Sequence, residues 1–176
     1  STLDRQVNIT NLFTNNRLGL LDSLEGGQSL TLGFDYDLST NEERKFFSYG
    51  MGQIFREKDD KKLPLKSTMQ NKRSDLVGRF EFSPTDNFEM NYSFSADNNM
   101  DEMNSNFLET KLRVNNFVTS FEFLEENNMV GSDSYFSKNI AYNFNNNNSL
   151  KYNTKRNRTT DLTEYYNLIY EYKNDC

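Results

Sequence analysis

Histidine is absent from this sequence of 176 residues, and cysteine occurs once, at Cys176. Without histidine, Ser-His and Cys-His nucleophilic pairs and every histidine-based metal site are excluded. A single cysteine cannot form an internal disulfide or a four-cysteine zinc site. Asp35 and Asp37 share one strand face, but most other charged residues do the same. We therefore predict no enzymatic activity and no cofactor.

Other shortages narrow the class of protein further. Two prolines and eight glycines exclude collagen-like and proline-rich chains. No apolar run approaches 18 residues, so no transmembrane helix is predicted. The net charge of −6 makes nucleic acid a poor partner. The mean hydropathy is −0.87, yet the chain has 15 Phe and 10 Tyr. Such a polar chain is usually poor in aromatics and disordered.

Period-2 alternation runs through almost the whole chain and predicts β-strands. From residue 28 to 38 the apolar positions are Leu30, Leu32, Phe34, Tyr36 and Leu38. We predict nine strands, with a tenth within residues 3–13, near 28–38, 45–55, 75–83, 88–96, 106–114, 117–125, 134–144, 149–156 and 161–172. Most are nine to eleven residues long, the length that a tilted transmembrane strand needs.

The predicted connections alternate between long and short. Residues 56–74, 97–105 and 126–133 form the longer ones, and residues 84–87, 115–116 and 145–148 form the turns. In an antiparallel meander, every second connection lies at the same end of the sheet. Outer-membrane barrels have this asymmetry, with long extracellular loops and short periplasmic turns.

The alternation divides the side chains between an aromatic-rich face and a charged face. The charged face carries one amide and eleven charged residues: Asp35, Asp37, Arg79, Glu81, Glu89, Asn91, Glu109, Lys111, Arg113, Glu122, Lys151 and Glu171. The long strands and consecutive hairpins favour a lipid-facing barrel wall, and a soluble sheet protein is the alternative. Lys138 falls on the apolar face, so either it lies near the rim or a bulge shifts the register.

The fold class predicted is therefore all-β, an antiparallel up-and-down transmembrane β-barrel segment of nine or ten strands. Such a sheet needs further strands, because an open edge is not tolerated in lipid. The sequence starts at Ser1 without an initiator Met or signal peptide, and it stops directly after a strand-like run. We expect a fragment of a longer secreted protein.

Four segments resemble the LptD family of LPS-assembly proteins, in family order. They are NNRLGLLDSLEGG (15–27), GMGQIFRE (50–57), KRSDLVGRFEFSPTDNFEMNYSF (72–94) and YEYKNDC (170–176). The matching loop residues are Arg17, Gly19, Asp22, Glu25 and Gly27. The matching strand and hairpin residues are Gly52, Gln53, Arg56, Asp75, Gly78, Pro84, Asp86 and Asn87.

The resemblance implies a function in the outer membrane of Gram-negative bacteria. Residues 1–176 would be part of one barrel domain, without its N-terminal jellyroll and closing strands. The full protein would insert lipopolysaccharide into the outer leaflet through its lumen and lateral gate. Its partners would be lipopolysaccharide, an LptE-like plug lipoprotein, the periplasmic Lpt bridge and outer-membrane lipid. Alternatives are another outer-membrane barrel, such as a porin or uptake receptor, and a soluble all-β surface or binding protein.

Individual residues carry further expectations. By the resemblance, Cys176 would pair with a cysteine upstream in the full protein; an unpaired thiol is the alternative. Arg17, Asp22 and Glu25 either form a charged network that holds a loop in the lumen or are solvated. Gly26 and Gly27 are expected to serve a turn.

Two basic clusters could contact lipopolysaccharide phosphates, or could simply be solvated. They are Lys61 with Lys62, and Lys155 with Arg156 and Arg158. Two acidic pairs, at 59–60 and 125–126, could supply oxygen ligands to a divalent cation, although their spacing matches no EF-hand.

Overall fold

Nine β-strands form one antiparallel sheet in the computed structural model, which describes residues 7–14, 17, 25–41, 44–63, 67–128 and 131–173. The strands are β1 (Ser29–Ser39), β2 (Lys45–Arg56), β3 (Leu76–Thr85), β4 (Phe88–Ala96), β5 (Met103–Val114), β6 (Phe117–Asn128), β7 (Gly131–Asn143), β8 (Asn148–Asn157) and β9 (Leu162–Tyr172). Each corresponds to a predicted strand. A tenth strand is absent from the described part of residues 3–13, because residues 9–13 form turns, and residues 3–6 lie outside the described residues.

The strand order is the chain order, so every strand pairs with the strand before it and the strand after it. The up-and-down segment predicted from the alternation is therefore confirmed. The sheet is open, with β1 and β9 at its two edges. No helix in the described part of the chain is long and apolar enough to cross a membrane.

The register confirms the predicted division of side chains between two faces, because cross-strand partners point to the same side. On the apolar face, aromatic rings meet across neighbouring strands. Phe34 and Tyr49 have centroids 5.7 Å apart, and Phe47 and Phe80 make an edge contact at 5.3 Å. The opposite, polar face carries all twelve charged or amide positions predicted for it.

Two predicted connections are shorter than the sequence indicated. The loop predicted at 126–133 is mostly strand, because Glu126 pairs with Asp133 and Asn127 with Ser132. The strand β5 begins at Met103, inside the loop predicted at 97–105. Polar side chains do not prevent backbone pairing. The strands therefore extend beyond the residues in which apolar and polar side chains alternate.

The asymmetry between the two ends of the sheet is clear around the first six strands. The loop end carries the β2–β3 connection (57–75) and the β4–β5 connection (97–102), whereas the turn end carries the β1–β2 connection (40–44) and two-residue turns at 86–87 and 115–116. Around the last three strands, the connections at 144–147 and 158–161 have equal lengths. The asymmetry therefore rests mainly on one long loop.

Lys138 lies on the apolar face, between Phe121 of β6 and Thr154 of β8. The pairing of β7 with both neighbours has no register shift around this residue. The bulge considered from the sequence is therefore absent, and the side chain does point to the apolar side.

Candidate functional site: the covered polar face of β1 to β3

The N-terminal segment (7–14) and the β2–β3 loop (57–75) both fold onto the polar face of the first three strands. Their apolar side chains meet two inward-pointing strand residues, Ile54 and Val77, in a small core. The members of this core are Val7, Leu12, Ile54, Leu63, Met69 and Val77. Burial of these side chains drives the covering segments onto the sheet. This is the part of the chain where most of the motif residues are found.

Glycines on the polar face provide the room for the N-terminal segment. Gly33 and Gly52 are direct partners on β1 and β2. A methyl group added at Gly52 would overlap the Leu12 side chain, and one added at Gly33 would lie 2.8 Å from the Phe13 ring. These positions therefore require glycine for close approach rather than for backbone conformation.

A third glycine lies beneath an ion pair that spans three strands. Gly50 pairs with Asp35 on one side and with Arg79 on the other. The carboxylate of Asp35 and the guanidinium of Arg79 meet above it at 3.4 Å. A side chain at Gly50 would collide with the Asp35 carboxylate, so glycine at this position leaves room for the ion pair.

Two arginines converge on one carboxylate where the N-terminal segment meets the sheet. Glu25 Oε1 accepts hydrogen bonds from Arg17 and from Arg56, the latter at 2.6 Å. The side chain of Arg56 is 3% exposed and that of Glu25 is 13% exposed. We call Arg17, Glu25 and Arg56 the Glu25 cluster. Arg17 and Glu25 are thus in contact, whereas Asp22 and Gly19 lie outside the described residues.

The Glu25 cluster also binds the backbone around it. Arg17 donates from Nε to the carbonyl of Leu12 at 2.8 Å and from a terminal nitrogen to Thr31 Oγ1 at 2.6 Å. Arg56 donates to the carbonyl of Gly26. The cluster therefore joins the N-terminal segment to β1 and β2. Gly27 has φ of +82°, as expected for a turn glycine.

The β2–β3 loop returns to β2 through a second set of polar contacts around Ser74. Ile54 N–H donates to Ser74 Oγ at 3.0 Å, and Ser74 N–H donates to the Ile54 carbonyl at 3.0 Å. Gln53 Nε2 donates to the Ser74 carbonyl at 2.8 Å. The backbone N–H of Arg56 donates to the Lys72 carbonyl at 2.7 Å. The motif residues on β2 are thus bound to the motif residues that precede β3.

Asp75 is buried beside these contacts and accepts hydrogen bonds from two other strands. Ser95 Oγ donates to its carboxylate at 2.8 Å, and Asn104 Nδ2 donates at 2.7 Å. Burial raises the pKa of Asp75, and the hydrogen bonds from Asn104, Ser95 and Thr68 oppose that rise. The sequence did not indicate Ser95 or Asn104, because short polar residues on alternating strands give no distinctive pattern.

The other family-motif residues lie elsewhere. Gly78 points to the apolar face, where the Phe94 ring packs 2.5 Å from the position a methyl group would take. The hairpin residues Pro84, Asp86 and Asn87 are at the turn end of the sheet, where Asp86 pairs with Arg44 at 2.9 Å. Pro84 lies within a register shift of β3, as expected for a residue without a backbone N–H.

The residues predicted to contact phosphate lie in the β2–β3 loop and on both faces of β8. Lys61 and Lys62 are exposed in the β2–β3 loop. Lys155 points to the polar face and pairs with Glu164 at 3.1 Å, whereas Arg156 lies on the apolar side in register with Phe136. The strand period separates these two neighbours. Cys176 lies outside the described residues.

Groups of three or more acidic or cysteine side chains that could hold a metal ion are absent from the residues that the structure describes. The acidic pairs at 59–60 and 125–126 are therefore not joined there by a third acidic side chain.

The long consecutive hairpins, the aromatic face and the covered polar face define the class of outer-membrane β-barrel proteins, of which this chain supplies an open segment. A search of curated proteins finds no match. The sequence model of the family described as "LptD: LPS transport system D" matches residues 3–130. The chain belongs to the LptD family. The match includes the N-terminal segment, the β2–β3 loop and the first six strands.

The family is one of lipopolysaccharide transport and assembly in the outer membrane, and its members act as transport proteins.

Proposed function

We propose that this chain is part of the outer-membrane translocon that inserts lipopolysaccharide into the outer leaflet. The family match over residues 3–130 is the observation that carries the proposal. In this proposal residues 1–176 belong to one barrel domain, which further strands close and a periplasmic domain precedes. The lipid passes between the lumen and the membrane through a lateral gate.

The polar face would line the lumen of that barrel. It carries ion pairs between neighbouring strands, such as Lys151 with Glu171 at 2.8 Å and Arg79 with Asp35 at 3.4 Å. A water-filled passage accommodates such exposed pairs of both signs, whereas a dry core does not. Sugars can move along this surface because it offers both donors and acceptors.

The partners proposed are lipopolysaccharide, a plug lipoprotein of the LptE type and the periplasmic Lpt bridge. The covering segments reach beyond β3, because residues 7–10 line a cavity together with Ser93 of β4 and Phe107 of β5. The polar face of β6 to β9 would therefore be the part available to a plug or to cargo. We propose that the motif residues hold the covered part in shape: Arg17, Gly19, Asp22, Glu25, Gly27, Gly52, Gln53, Arg56, Asp75, Gly78, Pro84, Asp86 and Asn87. Cys176 is proposed to form a disulfide with an upstream cysteine.

The test is depletion of the full-length protein in its bacterium, followed by measurement of lipopolysaccharide at the cell surface and in the inner membrane. Depletion should lower newly made surface lipopolysaccharide and raise the inner-membrane pool. Unchanged surface lipopolysaccharide together with reduced uptake of small solutes would instead identify a porin or uptake receptor. A gel-mobility shift on reduction of the unheated protein would test the disulfide separately.

A further inference from the structure

Lys138 is a cation whose nearest neighbours on the apolar face are apolar or hydroxyl-bearing side chains. Its cross-strand partners are Phe121 and Thr154, and the next residues on the same face of β7 are Phe136 and Ile140. The side chain is exposed, and among the described residues no carboxylate forms an ion pair with it. Its charge is therefore available to a ligand on the apolar side.

Two arginines lie on the same side, one step nearer to the loop end. Arg156 is in register with Phe136, which makes it a diagonal neighbour of Lys138. The backbone N–H of Arg158 donates to the Ser134 carbonyl at 2.7 Å, and its guanidinium carbon is 5.4 Å from the centroid of the Phe123 ring. We call Lys138, Arg156 and Arg158 the outward cation cluster.

The cluster lies at the border of the apolar face. On β6 that face is apolar or hydroxyl-bearing from Phe117 to Phe123 and becomes acidic at Glu125. Phe123 and Phe136 pair across the border, and their row continues to Arg156. In outer-membrane barrels the end with long loops is extracellular, so this border lies at the outer-leaflet surface.

Nearby acids leave the cluster with an excess of positive charge. Asp161 forms an ion pair with Arg156 at 2.5 Å, but both side chains are exposed to solvent. Glu125 lies on the same face and is in register with Ser134. A phosphate could displace Asp161 easily, since exposed ion pairs contribute little to stability.

We propose that the outward cation cluster binds the phosphorylated headgroup of a lipopolysaccharide molecule on the outside of the barrel wall. The proposal rests on the proposed function, because it places the apolar face in the outer membrane. Diagonal neighbours on adjacent strands have Cβ atoms about 7–8 Å apart, so two long cationic side chains can reach one phosphate between them. Arginine binds phosphate through paired donors, and lysine extends along apolar surface to a charge at its end.

The acyl chains of the same molecule would lie against the apolar face between the cluster and the turn end. Phe121 and Phe136 stack with centroids 6.3 Å apart within the rows of the cluster itself, directly beside Lys138. Ile140 and Tyr152 pair in the next row towards the turn end. The wall thus has positive charge towards the loop end and apolar side chains towards the turn end. An outer-leaflet lipid has its headgroup and its acyl chains in the same order.

The experiment measures binding of fluorescent lipid A to the full-length protein in dodecyl maltoside. The test variant combines K138Q, R156Q and R158Q. The matched control combines R44Q, K45Q and R113Q, which removes the same charge at the turn end of the sheet. A second variant, K138R with R156K, keeps both charges. The unheated gel mobility of every variant shows whether it is folded.

We expect the apparent Kd of the test variant to rise by about tenfold or more. The control and the charge-conserving variant should remain within about twofold of the wild type. Enzymatic removal of the lipid A phosphates should weaken binding to the wild type and leave the test variant unaffected.

Three results would overturn the proposal: equal affinity of the test variant and wild type, an equal loss in the control, or equally tight binding of phosphatidylglycerol. Binding to the purified protein does not require transport. A barrel that fails the depletion test can therefore still pass this one, and the reverse also holds.

Discussion

Arg56 combines a full positive charge with almost no contact with solvent, so its ion pair with Glu25 stands apart from the exposed pairs of the sheet. Removing one partner of a buried pair leaves the other charge without compensation, and that costs far more than an exposed pair contributes. Residues that look equivalent in the sequence, such as Arg44 and Arg56, therefore contribute differently to the stability of the folded chain.

The substitution Arg56→Met should destabilise the full-length protein by about 3–5 kcal/mol, because Glu25 loses one of its two arginines. The measurement is a urea titration in detergent, followed by the shift between unheated and boiled gel mobilities. As a control, Arg44→Gln removes the exposed pair with Asp86 and should change stability by less than about 1 kcal/mol. Equal effects of the two substitutions would contradict the burial of the Glu25 cluster.

A methyl group at Gly52 should displace Leu12 from the polar face. Gly52→Ala is expected to cost about 1–3 kcal/mol, as overpacking usually does. Gly26→Ala is the matched control, since a methyl group there meets no atom within 4 Å. Protease sensitivity of residues 7–14 reports the displacement. If both variants resist protease equally, Leu12 does not lie over Gly52.

Asp75 should make stability depend on pH. Burial raises the pKa of this carboxyl, so the folded chain holds the proton to a higher pH than the unfolded chain does. The stabilisation is complete below the ordinary pKa of 3.8 and is lost as the pH rises through the folded-state pKa.

Between about pH 4 and pH 7, the wild type should therefore lose more stability than Asp75→Asn. Urea titrations at the two pH values measure the difference. Asp86→Asn, which changes an exposed carboxylate, should follow the wild type. A loss of stability in Asp75→Asn as large as that of the wild type would show that Asp75 is not responsible.

At the scale of elements, the β2–β3 loop behaves as a small packed unit rather than a solvated connection. Leu63 and Met69 are buried against Ile54 and Val77, and Ser74 closes the loop on β2. The strands could be predicted from the sequence because a half-buried strand repeats every two residues. The loop core could not be predicted, because a few apolar residues within a charged stretch do not establish a period.

The same contrast holds for the site. Arg17 and Glu25 are close in the sequence and could be connected by resemblance, whereas Arg56 joins them only through the pairing of Ser29 with Arg56. Asp75 was singled out as a motif residue, but its partners Ser95 and Asn104 come from β4 and β5. Register is a property of the whole sheet, and no local pattern encodes it.

Met69→Ala tests whether the loop is packed. Met69 is 0% exposed, so the substitution should leave a cavity and cost about 2–5 kcal/mol. Met100 is 70% exposed, and Met100→Ala should be nearly neutral. Intact cells that carry each variant are treated with trypsin. Cleavage after Lys72 should be faster in Met69→Ala than in Met100→Ala. Identical cleavage rates would indicate a loop that does not pack on the sheet.

At the scale of the molecule, nine strands pair in chain order and leave β1 and β9 as separate edges. Backbone groups at such edges require partners in lipid. The remaining strands of a complete barrel would therefore lie between β9 and β1, and these two strands would not be neighbours.

Cysteine pairs in a cysteine-free background of the full-length protein can test this arrangement. Ser120 and Asn139 are direct partners on β6 and β7, so cysteines at these positions should cross-link on oxidation. Cysteines at Thr31 and Asn167, which lie on the polar face of β1 and β9, should not. A cross-link between β1 and β9 would mean that nine strands close by themselves.

The position of the covering segments on the polar face also sets an order of events during biogenesis. Val7 and Leu12 contact the sheet through β2 and β3, which are adjacent strands near the start of the chain. Once a ring of strands surrounds that face, a segment outside it could reach its site only by threading through the pore. Residues 7–14 must therefore dock before the barrel closes. Closure before docking would leave the polar face of β2 and β3 without its covering segment.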